Sequence, residues 1–294
     1  MKNKGSAKKK VSVVIPIYRP EKEVFERVKE MLKKQTIKAE IVEKWNNPEA
    51  VSMNLGIKEA KGEIIIILAQ DCIPENEFWL EKLIKPLEDK KIVATVSDLF
   101  LPEKYWKKYP FMLRLATINE RNIQYPTMDM RACAYRKKDL MEVGLISEDP
   151  KIIGLEADLS MKLKKRGKFA RANVKVLHLH KQKSFRGVID KLKIYSEGNG
   201  KLVRRHANAL ISYGENEGGF WHRILRSIPI FGFISIICRF PFRKYPHLFP
   251  IYLILIAPLI HIANITGFWE GFLFDRESER NKEVLRSNLK NKNS

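Results

Sequence analysis

An α/β fold built on a mostly parallel sheet is what this sequence predicts, and three observations carry the prediction. An unbroken β-branched and aliphatic run of strand length stands at 64–68, the pattern of a strand buried on both faces, and VSVVIPI at 11–17 reads as a first buried strand. Between them, residues 21–34 place Val24, Val28, Met31 and Leu32 on one face of an amphipathic helix. The resulting β-α-β-α-β order implies right-handed crossovers, with helices flanking the sheet.

Taken in order, VSVVIPI is the first strand and ends in the turn Pro16-Ile17-Tyr18-Arg19-Pro20. After the first helix, residues 39–43 read as a short second strand. Pro48 at a helix start then leads Val51, Leu55 and Ile57 toward Gly62. The third strand delivers Ala69-Gln70-Asp71-Cys72 at its carboxyl end, the edge where open α/β sheets bind ligands. Pro74 is expected to break any ladder there, and Glu75-Asn76-Glu77 to open a helix carrying Phe78, Trp79, Leu83 and Leu87. Residues 92–96 form the next strand, and the aromatic, basic stretch 102–125 reads as a partly helical lid or packing arm.

A strand over 128–135 and a helix over 137–143, stopped by Gly144, come next. The helix over 155–166 has Glu156 and Asp158 in its first turn and Lys164, Lys165 and Arg166 in its last, an order that suits the helix dipole. Residues 174–177 form a strand delivering His178 and His180 to one face. Residues 184–212 then read as a basic amphipathic helix interrupted near Gly198-Asn199-Gly200.

The 294 residues suit one large α/β domain with an appendage. A net charge of +21 calls for a polyanionic partner, and residues 161–206 concentrate it, with fifteen Lys and Arg against Asp190 and Glu197. Three cysteines without a Cys-x-x-Cys pair argue against a disulfide framework or structural zinc. MKNKGSAKKK has no apolar core or cleavage site and reads as a basic tail, not a signal peptide. Toward the other end, residues 224–238 are apolar but for Arg226 and too short to span a bilayer, whereas 248–268 carry no charge and are long enough. The basic residues Arg239, Arg243 and Lys244 between them favour an interfacial or re-entrant pair over a hairpin that would export the positive loop.

Asp71, alone in its loop, suits either of two roles: capping the helix that follows, or holding a hard divalent cation and through it phosphate oxygens. Four segments in order resemble the family 2 glycosyltransferases of the GT-A (nucleotide-diphospho-sugar transferase) fold, over about residues 11–210. They are VSVVIPIYRP, NLGIKEAKGEIIIILAQDCIPENEFWL, ACAYRKKDLMEVGLISEDPKIIGLEADLSMKLKKRGK and VKVLHLH. The resemblance is to rhamnosyl- and mannosyltransferase-like members. It implies the GT-A domain over 11–212, and charge and hydropathy place around it a basic tail over 1–10, membrane-associating helices (interfacial, re-entrant or transmembrane) over 213–275 and a second basic tail over 276–294.

The same resemblance implies the chemistry. Asp71, with His178, is expected to hold Mg²⁺ or Mn²⁺ on the diphosphate of the leaving group. The family's Asp-x-Asp is here Ala69-Gln70-Asp71, with one carboxylate. Its acidic catalytic run falls on Leu155-Glu156-Ala157-Asp158-Leu159, which makes Glu156 and Asp158 the catalytic candidates, with Glu156 as the base of an inverting transfer; residues two apart point to different sides of a helix, so the two are not expected to share one role. Pro16, Tyr18, Glu43, Asn54, Gly56, Gln70 and Asp71 are the candidate donor-binding residues. The expected partners are a UDP-, GDP- or dTDP-linked sugar, a lipid-linked or polysaccharide acceptor and an anionic membrane surface, with the catalytic domain cytoplasmic. A catalytically inactive membrane scaffold is the alternative. The lack of a basic-aromatic recognition motif weighs against a nucleic-acid partner.

Overall fold

A computed structural model of the chain describes residues 10–120, 122–123, 130–148, 155–179, 184–212 and 219–274. One sheet organises it. The strands are β1 (Val11–Ile17), β2 (Glu40–Trp45), β3 (Ile64–Leu68), β4 (Cys72–Pro74), β5 (Ile92–Phe100), β6 (Asn122–Ile123), β7 (Ala132–Arg136) and β8 (Lys168–His178). Their order is β2-β1-β3-β7-β5-β8-β4, with β6 added against β5. Strands β1, β2, β3, β5 and β8 run one way, and β4, β6 and β7 run against them. The sheet is therefore mixed, with its majority direction as expected. Strand β7 inserts antiparallel between β3 and β5, and its buried ACAYR has the same apolar reading a parallel strand would have.

The first half of the chain shows why the apolar runs are continuous. Val11, Val13, Ile15 and Ile17 of β1 and Ile64, Ile66 and Leu68 of β3 face one core; Val14, Ile65 and Ile67 face the other. Period-two alternation puts every residue of β3 inside, so no position tolerates a polar side chain. Helices α1 (Lys22–Lys33), α2 (Glu49–Glu59), α3 (Trp79–Ile84), α4 (Glu103–Trp106), α5 (Phe111–Ala116), α6 (Lys137–Glu142) and α7 (Leu155–Lys164) flank the sheet. α1, α3 and α5 cover the first core, and α2, α6 and α7 the second. Gly56 on α2 sits so close to β1 that a Cβ would collide with Val14.

Two local expectations change. Pro74 does not exclude a ladder: β4 is an edge strand paired antiparallel with β8, and a proline is tolerated where one side of the strand has no partner. The stretch 102–125 contains α4 and α5, whose Trp106, Leu113 and Leu115 are buried, so these residues form a packing arm.

The C-terminal part is helical: α8 (Phe185–Ser212), α9 (Phe220–Ser227), α10 (Pro229–Cys238), α11 (Phe249–Ile251), a π-helical stretch Tyr252–Ile256 and α12 (Ala257–Leu273). Helix α8 runs unbroken through Gly198-Asn199-Gly200; its departure from helical geometry is at His206. The glycine signal belongs to packing. A Cβ at Gly200 would strike the Phe268 carbonyl, one at Gly267 the Lys193 carbonyl, and one at Gly271 the Glu197 carbonyl. α8 and α12 thus cross backbone to backbone, the arrangement that small residues four apart permit. Ser196 Oγ donates to Asn264 Oδ1 at 3.0 Å, and the Arg204 guanidinium donates to the Phe272 and Leu273 carbonyls, closing the end of α12.

From Pro246 to Leu273 the helical run is long and apolar enough to cross a membrane, while α9 and α10 meet at 102°. Ile230, Phe231 and Ile234 on α10 and Ile254, Leu255, Leu259 and Ile262 along the longer run are exposed, Ile254 at 71%.

Candidate active site

The site is assembled by two strands meeting at the carboxyl edge of β3. After Leu68 the chain turns sharply, with Ala69 N–H donating to the Arg131 carbonyl at 2.8 Å and Cys72 N–H to the Ala69 carbonyl at 3.0 Å. It then joins β8 through the pairing of Cys72 with His178, and Leu179 N–H donates to the Asp71 carbonyl at 3.0 Å. Directly opposed residues of an antiparallel pair share a face. The pairing sets His178 beside Cys72, and in the turn just before it Asp71 Oδ2 lies 3.6 Å from the His178 Nε2. Cys72 Sγ lies 3.9 Å from Asp71 Oδ1, and the three donor atoms are all within 4.8 Å of one another.

A carboxylate, an imidazole and a thiol at this spacing fit a divalent cation. Cys72 was not among the candidates read from sequence. A cysteine beside an aspartate carries no spacing signal; only the β4–β8 register brings the two to the histidine.

Gln70 has a different task from Asp71. Its Oε1 accepts from Tyr18 N–H at 2.9 Å and its Nε2 donates to the Tyr18 carbonyl at 3.0 Å. Both ends of the amide hold the β1 loop, so Gln70 joins the carboxyl ends of β1 and β3 and leaves Asp71 as the carboxylate of the turn. The held loop places Arg19 at φ 46°, its guanidinium 5.1 Å from the Tyr18 ring centre. At the same edge Pro16 and Ile17 pair with Lys44 and Trp45. Glu43 Oε2 accepts from Trp45 Nε1 at 3.1 Å, and Trp45 is 46% exposed, a flat apolar surface beside the turn that sequence reading overlooked.

Asn54 and Gly56 sit on α2 as scaffold. Asn54 Nδ2 donates to the Ile146 carbonyl and to Glu148 Oε1, each at 2.8 Å, while Oδ1 accepts from Ile146 N–H at 3.2 Å, which pins the loop after α6. The two acids of α7 divide as the helical spacing predicts. Glu156 is exposed; Asp158 is buried, with the Lys162 ammonium 2.7 Å from its Oδ2. Leu159 and Leu163 anchor α7 in the second core, while Ala157 and Met161 face α8, α9 and α12. His180 lies outside the described residues.

Residues 26–144 match the family model described as Glycosyl transferase family 2. No curated protein matches the chain in sequence. Among solved structures, the chain is similar to "Mannosyltransferase PcManGT from Pyrobaculum calidifontis in complex with GDP-Man and Mn2+". The TM-score is 0.53 and the identity 15%, covering 97% of this chain and 80% of that one; at this identity the likeness is one of fold. S. aureus TarS 1–349 (13% identity, TM-score 0.39, 90% of each chain) aligns too loosely to bear on the fold.

Proposed function

We propose that this chain carries a family 2 glycosyltransferase domain in the GT-A fold and moves a sugar from a nucleoside diphosphate donor to a lipid-linked or otherwise membrane-held acceptor, with inversion. The observation that carries the reading is the Asp71–His178 pair, held at the carboxyl edge of β3 by the β4–β8 pairing. A divalent cation bound there would neutralise charge on the departing diphosphate. Asp71 and His178 hold and orient that end of the donor. The Gln70–Tyr18 clasp sets the loop on which the nucleotide lies, with Glu43, Pro16 and the exposed Trp45 along the same edge.

In the transfer, the acceptor hydroxyl oxygen forms a bond to the anomeric carbon as the bond from that carbon to the phosphate oxygen breaks. The electron pair leaves with the nucleoside diphosphate, and the hydroxyl proton passes to the Glu156 carboxylate. General-base assistance of this kind contributes about 10²- to 10⁴-fold. Asp158, buried against Lys162, shapes the first turn of α7 and does not share the proton. The apolar run Pro246–Leu273 and the exposed side chains of α10 support a membrane-held acceptor.

The test is transfer from labelled UDP-, GDP- and dTDP-sugars into lipid by membranes carrying wild type, Asp71→Ala or Glu156→Gln. Wild-type activity with both variants at or below 1% is expected, about the 10²-fold floor given above for the base. Full activity in Asp71→Ala would remove the metal assignment. Silence of the wild type with every donor would favour the scaffold.

A further inference from the structure

The bend between α9 and α10 gathers positive charge in an apolar setting. Arg223 and Arg226 stand one turn apart on α9, and Arg239 follows the last residue of α10. The three are close enough to act on one another electrostatically and, together, on His222. Arg226 is partly buried and, among the described residues, has neither an ion pair nor a hydrogen-bonded acceptor for its guanidinium. Burying an unpaired guanidinium costs energy unless an anion joins it.

The bend is built to hold its shape. Trp269 Nε1 donates to the Ser227 carbonyl at 3.2 Å, Gly232 N–H donates to the Ile228 carbonyl at 2.8 Å, and the absence of a side chain at Gly232 lets α10 pass the Arg226 carbonyl. Around it, Trp221, Leu225, Ile230, Phe231 and Ile234 are exposed. The surroundings are apolar and the centre is cationic, which matches a molecule with a hydrocarbon chain and an anionic head. On its inner side α9 packs Phe220 and Ile224 into a cluster with Ala157 and Met161 of α7, and Ala157 lies between Glu156 and Asp158.

The geometry points to a binding site, at the α9–α10 bend and centred on Arg226, for the phosphate or diphosphate head of a lipid. It rests on the membrane-held acceptor of the preceding section and gives that acceptor a location: the head at Arg226, the hydrocarbon along α10, and the hydroxyl end toward the helix that carries Glu156. Guanidinium is the group for this task, because its planar fork meets phosphate oxygens two at a time.

The experiment is co-sedimentation of the full chain with phosphatidylcholine vesicles, plain or doped with a long-chain prenyl diphosphate. Wild type, Arg226→Gln, Arg226→Lys and Arg186→Gln are compared; Arg186 is an exposed arginine on α8 and provides the same change of charge elsewhere. Wild type is expected to bind the doped vesicles at least tenfold more tightly than plain ones. Arg226→Gln should lose most of that preference, Arg226→Lys part of it and Arg186→Gln none. Retained stabilisation by a nucleoside diphosphate with Mn²⁺ certifies that Arg226→Gln is folded. Equal preference in Arg226→Gln and wild type overturns the site, as does an equal loss in Arg186→Gln. Stabilisation by inorganic pyrophosphate as large as that by the lipid overturns the lipid in favour of a soluble anion. Failure of the acceptor reading looks different: wild type then transfers no sugar to lipid, while the Arg226-dependent binding persists.

Discussion

Replacing Arg171 by Ala should destabilise the fold well away from the candidate site, and the cause lies in the sheet that delivers His178. Asp98 on β5 is 3% exposed, and its Oδ1 accepts from Arg171 Nε on β8 at 2.7 Å while Oδ2 accepts from Nη2 of the same guanidinium. The pair bridges β5 and β8 beside the register shift between Val96 and Asp98. Removing one partner of a buried pair costs about 3–5 kcal/mol, because the remaining charge is left in a poor solvent. The Arg171 side chain is 35% exposed, so water reaches the gap and the lower end, about 3 kcal/mol, applies. At about 2–4 °C per kcal/mol for a domain of this size, the melting temperature should fall by about 6–12 °C.

The pH dependence follows with a definite sign. Asp98 raises the Arg171 pKa above its ordinary value, so that stabilisation is complete below the unfolded pKa and is not lost until strongly alkaline pH. Calorimetric melting of both proteins at pH 7.5 measures the loss in Arg171→Ala, and a value below about 1 kcal/mol would refute the reasoning.

Other expectations concern the site and its supports. His178→Ala should weaken divalent-metal binding, read by titration calorimetry with Mn²⁺ and with Mg²⁺; unchanged affinity for both ions would remove the imidazole as a ligand. Gln70→Leu takes two hydrogen bonds from the Tyr18 backbone and should cost about 1–3 kcal/mol, with the KM for donor rising more than the metal affinity falls. Gly271→Val drives a branched side chain into the Glu197 carbonyl and should destabilise by at least about 1–3 kcal/mol, seen as a lower melting temperature in detergent. The Ser12 hydroxyl and then the Lys61 N–H hold the Glu40 carboxyl below its usual pKa. The stability it contributes is present above the ordinary carboxylate range and lost as pH falls through it, so Glu40→Gln should flatten the acid limb of a stability profile.

Legibility in the sequence followed how local each determinant was. β3 could be read directly, because a strand covered on both faces is apolar at each of its five positions, and β1 departs from that pattern only at Ser12 and Pro16. The division of Glu156 and Asp158 could be read too, since helical spacing alone separates them. β7 could not be oriented, because a buried strand has the same composition whichever way it runs. Pro74 pointed away from the ladder that β4 forms, since only the pairing partner tells an edge from a centre. Gly198 and Gly200 suggested a break in α8 because a missing side chain looks the same whether it frees a backbone or admits another helix. Gln70 stands where the family pattern carries a first carboxylate, yet its amide is committed to Tyr18, an interaction across 52 residues that no local pattern encodes.

The crossing of α8 and α12 works as a clamp. Where carbonyls meet glycines there is no layer of side chains to compress, so the two helices cannot slide or breathe apart by small steps. The contacts fall at Lys193, Glu197 and Gly200 of α8, so one register holds α12 along about two turns of its partner. Any displacement of the apolar run must therefore carry α8 with it as a single stiff unit.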